Sequence, residues 1–512
     1  VTRATVLAFV LAGIAGLFLR VVQLSSWPPG PWIDEAYALR ASRLLPPNAP
    51  LFGTTPLTPP GEGFVNAYAT NLYLRFARAV DVAAGGGLAS FRALSALPSL
   101  ALLAALLLLA LEAGRDRPVA QNVSAALAAG TMWLLTTGRW GWDAVATSAL
   151  ATFATWVAFV ADRKSSRVLA GVAGAAVGLG AYGYAAGRLF LAAPLVVLAF
   201  AAASSREKRR RLLPLAGIAL ALEIAVVVPL ANHYAEHPER LFPREKELSI
   251  LRPAAGGAAA ALARNAREYT VLFFLRGDRN ERHGDPSRSV LPPAVSGLAL
   301  AGAAWGLVRG GAARALLIPA GLFLAGGLLS WQETGANAYR ISPAAPFLLV
   351  LAGLGAAALT DALPEQWRRG GAGGIAVVVA IAVASDVVAF ADWGGSPRTW
   401  GAFGGPERAL ADAYREALRG GAARLVLDPK TAARNPYVVE ELLAPAGARK
   451  GPVLFFADLS RETGALRESI LYADGGGLAA SSLAGRPGRI VAHGADPSGR
   501  ATFTLYRLSP SD

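Results

Sequence analysis

Long apolar runs alternate with short polar segments along the first three quarters of the chain. A helix needs about 20 apolar residues to cross a bilayer. Runs of roughly that length lie near residues 4–24, 89–111, 119–137, 143–161, 167–186, 189–203, 212–231, 290–308, 314–331, 342–361 and 373–391. The pattern predicts a mainly α, polytopic bundle of about eleven membrane spans. The first run follows Arg3, and the Leu24-Ser25-Ser26-Trp27-Pro28 stretch after it is a poor cleavage site. It is therefore expected to be a retained span, not a signal peptide. Beyond residue 391 the pattern changes. Asp392–Pro397 reads as a linker, 405–420 and 432–444 as helices, and 423–427, 452–456, 490–492 and 502–506 as strands. Residues 1–391 thus form a transmembrane module, and 392–512 a small α/β domain large enough for its own core.

Composition supports a membrane protein. Of 512 residues, 54% are hydrophobic and 16% charged, with a mean hydropathy of +0.41. A soluble protein carries roughly a quarter charged residues. The net charge of +14 sits in short clusters between apolar runs and forms no stripe for nucleic acid. There is no cysteine, which excludes disulfides, thiolate metal sites and cysteine nucleophiles. With the N-terminus placed in the cytoplasm, every short inner loop is basic: Arg115 and Arg117; Arg163, Lys164 and Arg167; Arg206 to Arg211; Arg309 and Arg314; Arg368 and Arg369. This satisfies the positive-inside rule and puts the C-terminal domain outside the cytoplasm.

The unusual polar residues then fall on the outer face. Residues 25–88 form a Pro- and Gly-rich loop that carries Asp34 and Glu35, with an interfacial helix expected over 63–80. Turns follow at Gly138–Asp143 and Gly187-Arg188, then a polar loop over 232–289, then Trp331–Arg340. Ionisable residues at a membrane edge are costly and usually functional. Asp34 and Glu35 have two readings. They can start a helix over Ala36–Leu45, with Asp34 as its N-cap. They can also supply a general base toward a hydroxyl. Arg139, Arg188 and Arg340 can snorkel to headgroups or grip a phosphate bidentately. His233-Tyr234-Ala235-Glu236-His237 matches a zinc-protease pattern, but Pro238 follows at once and no third ligand is evident, so no metal site is assigned. Glu223 is a carboxylate inside a span, without an assigned role. Gly475–Gly477 shows no phosphate-loop pattern.

In order along the chain, these segments resemble the GT-C superfamily of integral-membrane glycosyltransferases. They are most similar to the bacterial glycosyltransferase family 39-like branch of protein O-mannosyltransferases and lipid A aminoarabinose transferases. The resemblance rests on the Asp34-Glu35 pair after the first span, on Thr137–Trp142, on Gly180-Ala181-Tyr182-Gly183-Tyr184 with Arg188, on His233–Glu239, on Phe274–His283 and on Asn337–Pro346. It covers roughly residues 1–391. One departure is Trp142-Asp143, where an arginine is expected. The C-terminal domain lies outside the resemblance.

The resemblance implies a polyprenyl-phosphate sugar donor and inverting transfer to an acceptor hydroxyl. In that scheme Asp34 is the catalytic carboxylate and Glu35 assists it. Arg139, Arg188, Arg279, Arg282 and Arg340 are candidates for the donor phosphate, and Tyr184, Asp278 and His283 are further site candidates. No metal ligand is assigned and no cofactor is certain, although a divalent cation could screen the phosphate. The expected partners are the lipid-linked donor, a lipid, glycan or protein acceptor, and membrane lipids, with no nucleic acid. The expected location is the plasma membrane, with the active site and the C-terminal domain outside the cytoplasm. A lipid transporter or flippase and a non-catalytic scaffold are the competing readings. Neither an internal repeat nor paired broken helices, as in many transporters, is apparent.

Overall fold

A computed structural model describes residues 2–57, 68–141, 143–241, 249–250, 257–330, 335–418, 424–427, 436–445, 448, 453–455, 470–474 and 488–508. Each predicted span is helical. Seven helices are long and apolar enough to cross a membrane: Arg3–Val21, Gly87–Ala113, Asp143–Lys164, Arg206–Glu236, Gly311–Leu328, Ser342–Ala362 and Glu365–Gly395. The other predicted spans are shorter or broken. Pro118–Gly130 gives way to Met132–Thr137 at Thr131, Arg167–Gly180 is followed by Ala186–Phe190 and Ala193–Ala202, and Pro293–Arg309 falls just short. The chain is a multi-pass membrane protein.

The helix over Ala345–Ala362 is the buried axis of the bundle, with Phe347, Leu349, Ala352 and Ala356 fully enclosed. It packs on Pro118–Gly130 and Pro293–Arg309. Glycines permit that approach. A Cβ on Gly302 would lie 2.0 Å from the Leu351 carbonyl oxygen, and one on Gly355 2.0 Å from that of Leu298. Contact between apolar helices in lipid depends on such close backbone packing, because burial from water contributes nothing there.

Three parts of the outer region differ from expectation. The first outer helix runs from Ile33 to Leu44, and Trp32 occupies the N-cap position that the sequence suggested for Asp34. The interfacial helix runs over Asn71–Ala84, while residues 58–67, and with them the start of the predicted segment, lie outside the described residues. The loop expected over 232–289 contains an 18-residue helix, Gly257–Phe274. Its polar side, with Arg264, Arg267 and Glu268, hides it from a hydropathy reading.

The C-terminal part begins with Pro397–Ala402 and Gly405–Leu418. It continues into a five-stranded sheet built from β3 (Arg424–Leu427), β4 (Val453–Phe455), β5 (Ile470–Asp474), β6 (Gly488–Ala495) and β7 (Ala501–Leu508), in the order β4-β3-β5-β7-β6. The short pair β1 (Thr54–Pro56) and β2 (Tyr68–Thr70) belongs to the first outer loop. β3 is parallel to β4 and β5, whereas β7 is antiparallel to β5 and β6. The strand β5 was not expected from the sequence, and Gly475–Gly477 lie outside the described residues. Leu410, Tyr414, Leu425, Val439 and Leu505 form the core between sheet and helices.

A buried ion network joins this part to the first outer helix. Arg43 grips Asp81 through Nε and Nη2 (2.9 and 2.7 Å) and donates from Nη1 to Glu441 Oε2 at 2.6 Å. The network holds the helix Pro436–Leu443 against the helix that begins with Asp34 and Glu35.

Candidate active site

The first outer helix starts where three separate segments meet. Glu35 is 1% exposed. One carboxylate oxygen accepts the Trp32 N–H at 2.6 Å, and the other accepts the Gly141 N–H at 2.6 Å. Glu35 therefore caps its own helix and ties it to the Gly138–Gly141 turn. Burial pushes its carboxyl up to about 7, against the opposing pull of Arg92 and of the two N–H groups. Glu35, expected to assist Asp34 or to hold its geometry, has each carboxylate oxygen engaged by a backbone N–H. Gly141 is pinned from its other side too, since Tyr73 Oη donates to its carbonyl at 2.9 Å. Replacing Glu35 with Gln turns one acceptor toward an N–H as a donor. Glu35→Gln is expected to cost about 1–3 kcal/mol of stability, read as a lowered melting temperature of the purified protein in detergent.

Asp34, one position earlier, is half-buried and accepts the Trp32 indole N–H at 2.8 Å. The Arg282 guanidinium lies over the same indole, 3.4 Å from the ring centroid, and interacts electrostatically with Asp34. Burial lowers Arg282 to about 10, with Asp34 and Asp278 pulling the other way, so it is cationic at neutral pH. Its Nε donates to Asn280 Oδ1 at 2.9 Å. Its Nη1 is buried with no hydrogen-bond partner among the described residues.

The loop that carries Arg282 is held from within. Asp278 binds the Nδ1 of His283 and accepts the N–H groups of Asn280 (2.9 Å) and Ala338 (2.8 Å). Burial opposes ionisation of Asp278, but His283 and those N–H groups outweigh it and hold the carboxyl below the ordinary aspartate range. A depressed acid contributes stability that is present above its unfolded pKa and lost as pH falls through the folded value. Asp278→Asn is thus expected to melt lower than wild type at neutral pH, by about 1–3 kcal/mol. The gap should close as pH falls below the aspartate range, which paired thermal melts from pH 3 to 7 can check.

An aromatic cluster lies near Asp34, which interacts electrostatically with Tyr339. Trp140 stacks on Tyr339 with centroids 4.8 Å apart and sits 5.3 Å from His283, while Tyr184 meets Tyr339 edge-on at 5.4 Å. Trp140 Nε1, Tyr339 Oη and Asp143 Oδ1 are buried polar atoms without hydrogen-bond partners among the described residues. Asp143 interacts electrostatically with Asp34, Arg188 and Tyr339. The sequence had offered it only as a departure from an expected arginine. A carboxylate at the first turn of a span, on the same face as Asp34, was the signal available. Trp142 lies outside the described residues.

The other candidate arginines divide. Arg139 is 1% exposed and faces inward, donating to the carbonyls of Trp27 (3.2 Å), Leu19 (2.8 Å) and Val22 (2.7 Å). It closes the end of the first helix; burial, with Arg92 and Arg20 nearby, lowers it to about 9. Arg188 donates to the Leu241 carbonyl (2.9 Å) and to Tyr234 Oη (2.8 Å), on the side toward Asp143. Arg340 is half-buried next to Tyr339. Arg279 is exposed, on the rim of a small recess with Glu268, Arg276 and Gly335. His233 Nε2 accepts the Thr54 N–H at 3.2 Å, which ties the helix Arg206–Glu236 to β1.

No three His, Asp or Glu side chains among the described residues are placed to hold a metal ion. Asp278 and Glu35 are engaged by His283 and backbone.

Neither a protein-family model nor a curated protein matches the sequence. Solved structures do match in fold. The apo oligosaccharyltransferase of Archaeoglobus fulgidus superposes with a TM-score of 0.54 at 16% identity, covering 88% of this chain and 61% of that one. The chain thus spans about three fifths of the archaeal enzyme's length. ArnT from Cupriavidus metallidurans, bound to undecaprenyl phosphate, matches with a TM-score of 0.53 at 13% identity over 99% of this chain and 98% of that one. The chain carries the GT-C fold. The match to ArnT extends over the C-terminal part as well, which the sequence resemblance had left out. The archaeal enzyme has also been solved with Zn and sulfate, and with an inhibitory peptide and a dolichol phosphate.

Proposed function

We propose that this GT-C protein is a membrane glycosyltransferase that moves a sugar from a polyprenyl-phosphate donor to an acceptor hydroxyl on the extracytoplasmic side, with inversion. One observation carries the reading. A half-buried carboxylate, Asp34, and a half-buried guanidinium whose buried Nη1 has no hydrogen-bond partner among the described residues, Arg282, share one indole. The ArnT and archaeal structures that share the fold hold polyprenyl-type phosphates, which supports the donor class.

The chemistry follows from that pair. Asp34 accepts the proton of the acceptor hydroxyl as its oxygen attacks the anomeric carbon. The bond from that carbon to the phosphate oxygen breaks, and the electron pair leaves with the polyprenyl phosphate. Arg282 offers Nη1 to the charge that develops there, and Arg188 and Arg340 add positive potential nearby. The aromatic cluster of Trp140, Tyr184 and Tyr339 suits the apolar face of a sugar ring, and its N–H and O–H groups suit the ring hydroxyls. The C-terminal sheet domain buttresses the catalytic helix through Arg43 and Glu441.

The test uses purified protein in proteoliposomes with polyprenyl-phosphate sugars. The reading predicts release of polyprenyl phosphate together with a glycosylated acceptor of inverted anomeric configuration. Movement of the intact lipid between leaflets with no transfer would instead make the protein a transporter.

A further inference from the structure

We infer that Trp32 is the positioning residue that couples the proton acceptor to the phosphate-binding cation, a role that rests on the glycosyltransferase reading above. The observation is a double engagement of one side chain. The indole N–H donates to Asp34 Oδ2 at 2.8 Å, and the indole face carries the Arg282 guanidinium at 3.4 Å. Asp34 comes from the first outer helix, whereas Arg282 lies about 250 residues later in a different outer loop. A salt bridge alone would draw the two charges together and leave each less available to substrate. Stacking holds Arg282 over the ring by attraction to its π face, while the ring edge fixes the carboxylate. One rigid plane thereby sets their separation.

The ring is itself immobilised. Its backbone N–H is taken by Glu35 at 2.6 Å. The segment before it is gripped by the C-terminal part: the Gly404 N–H donates to the Pro31 carbonyl at 2.9 Å, and Arg408 Nη1 donates to the carbonyls of Ser25 and Pro29 at 2.6 and 2.9 Å. A Cβ on Gly30 would lie 2.1 Å from the Gly404 carbonyl oxygen, so that contact requires glycine. An indole with both edge and face in use, on a fixed backbone, does more than anchor the chain at a membrane interface. Interfacial anchoring needs only that the ring reach the headgroups.

Two substitutions separate the two engagements. Trp32→Phe keeps an aromatic face for Arg282 and removes the N–H. It is expected to lower kcat about 10-fold or more through a misplaced Asp34, with the donor KM and the Kd for polyprenyl phosphate within about twofold of wild type. Trp32→Leu removes both engagements. It is expected to show the same loss in kcat and, in addition, a rise of about 10-fold in donor KM and in that Kd. Melting temperatures of both variants exclude a failure to fold. The proposal is overturned if the two variants shift kcat and Kd alike, or if Trp32→Phe matches wild type in kcat. The glycosyltransferase reading fails separately, on absence of transfer by wild type. Binding of polyprenyl phosphate alone still compares the two variants in that case, and equal affinities would overturn the coupling role of the ring.

Discussion

Asp34→Asn is expected to bind the polyprenyl-phosphate donor with near wild-type affinity while losing sugar transfer by about 10²–10⁴-fold. That range is what a positioned general base contributes. The substitution is nearly isosteric and leaves Oδ1 able to accept the indole N–H, so the local structure should survive, and the effect should appear in kcat. Single-turnover transfer from a radiolabelled donor, with donor binding measured in parallel, reads both quantities. A variant that binds and transfers like wild type would remove Asp34 from the chemistry.

Arg282→Ala is the second large effect. Arg282 combines a buried Nη1 that has no hydrogen-bond partner among the described residues with an electrostatic link to Asp34. Loss of one preorganised donor to a developing anion costs about 10²–10³-fold in kcat. Loss of a cation facing a phosphate also weakens the ground state, so the donor KM should rise. Arg282→Lys keeps the charge but not the planar fork. It is expected to recover donor affinity more than kcat. Arg139→Lys should behave differently. Its Nη1 and Nη2 donate to backbone carbonyls at and just beyond the end of the first helix, so its loss should appear as instability with no specific rise in donor KM.

The fold was largely legible because apolar runs of span length are a strong signal, and all of them became helices. The helix Gly257–Phe274 was not legible, since half of its turns carry arginine, asparagine or glutamate and no long apolar run marks it. Basic loops suggested which ends of the spans share a face. Which arginine faces the site could not be read from them. In the sequence Arg139 reads as a residue at a span end and Arg282 as one of a polar loop, and only packing turns the first inward to carbonyls and lays the second over Trp32. The N-cap assignment failed for a related reason. Asp is the favoured cap on propensity, yet here the Glu35 carboxylate reaches back to the Trp32 N–H and leaves Asp34 to face the indole and Arg282. Asp143 was legible only as an anomaly, and its meaning appears once its electrostatic links to Asp34 and Arg188 are known.

The account places the donor phosphate at the start of the first outer helix. A structure of the protein with a polyprenyl phosphate bound tests this most directly. The prediction is a phosphate oxygen within about 3.2 Å of Arg282 Nη1, beside Asp34 and over the Trp32 edge. A phosphate seated instead on the exposed rim of Arg279 and Arg276, with Arg282 still stacked and untouched, would contradict it.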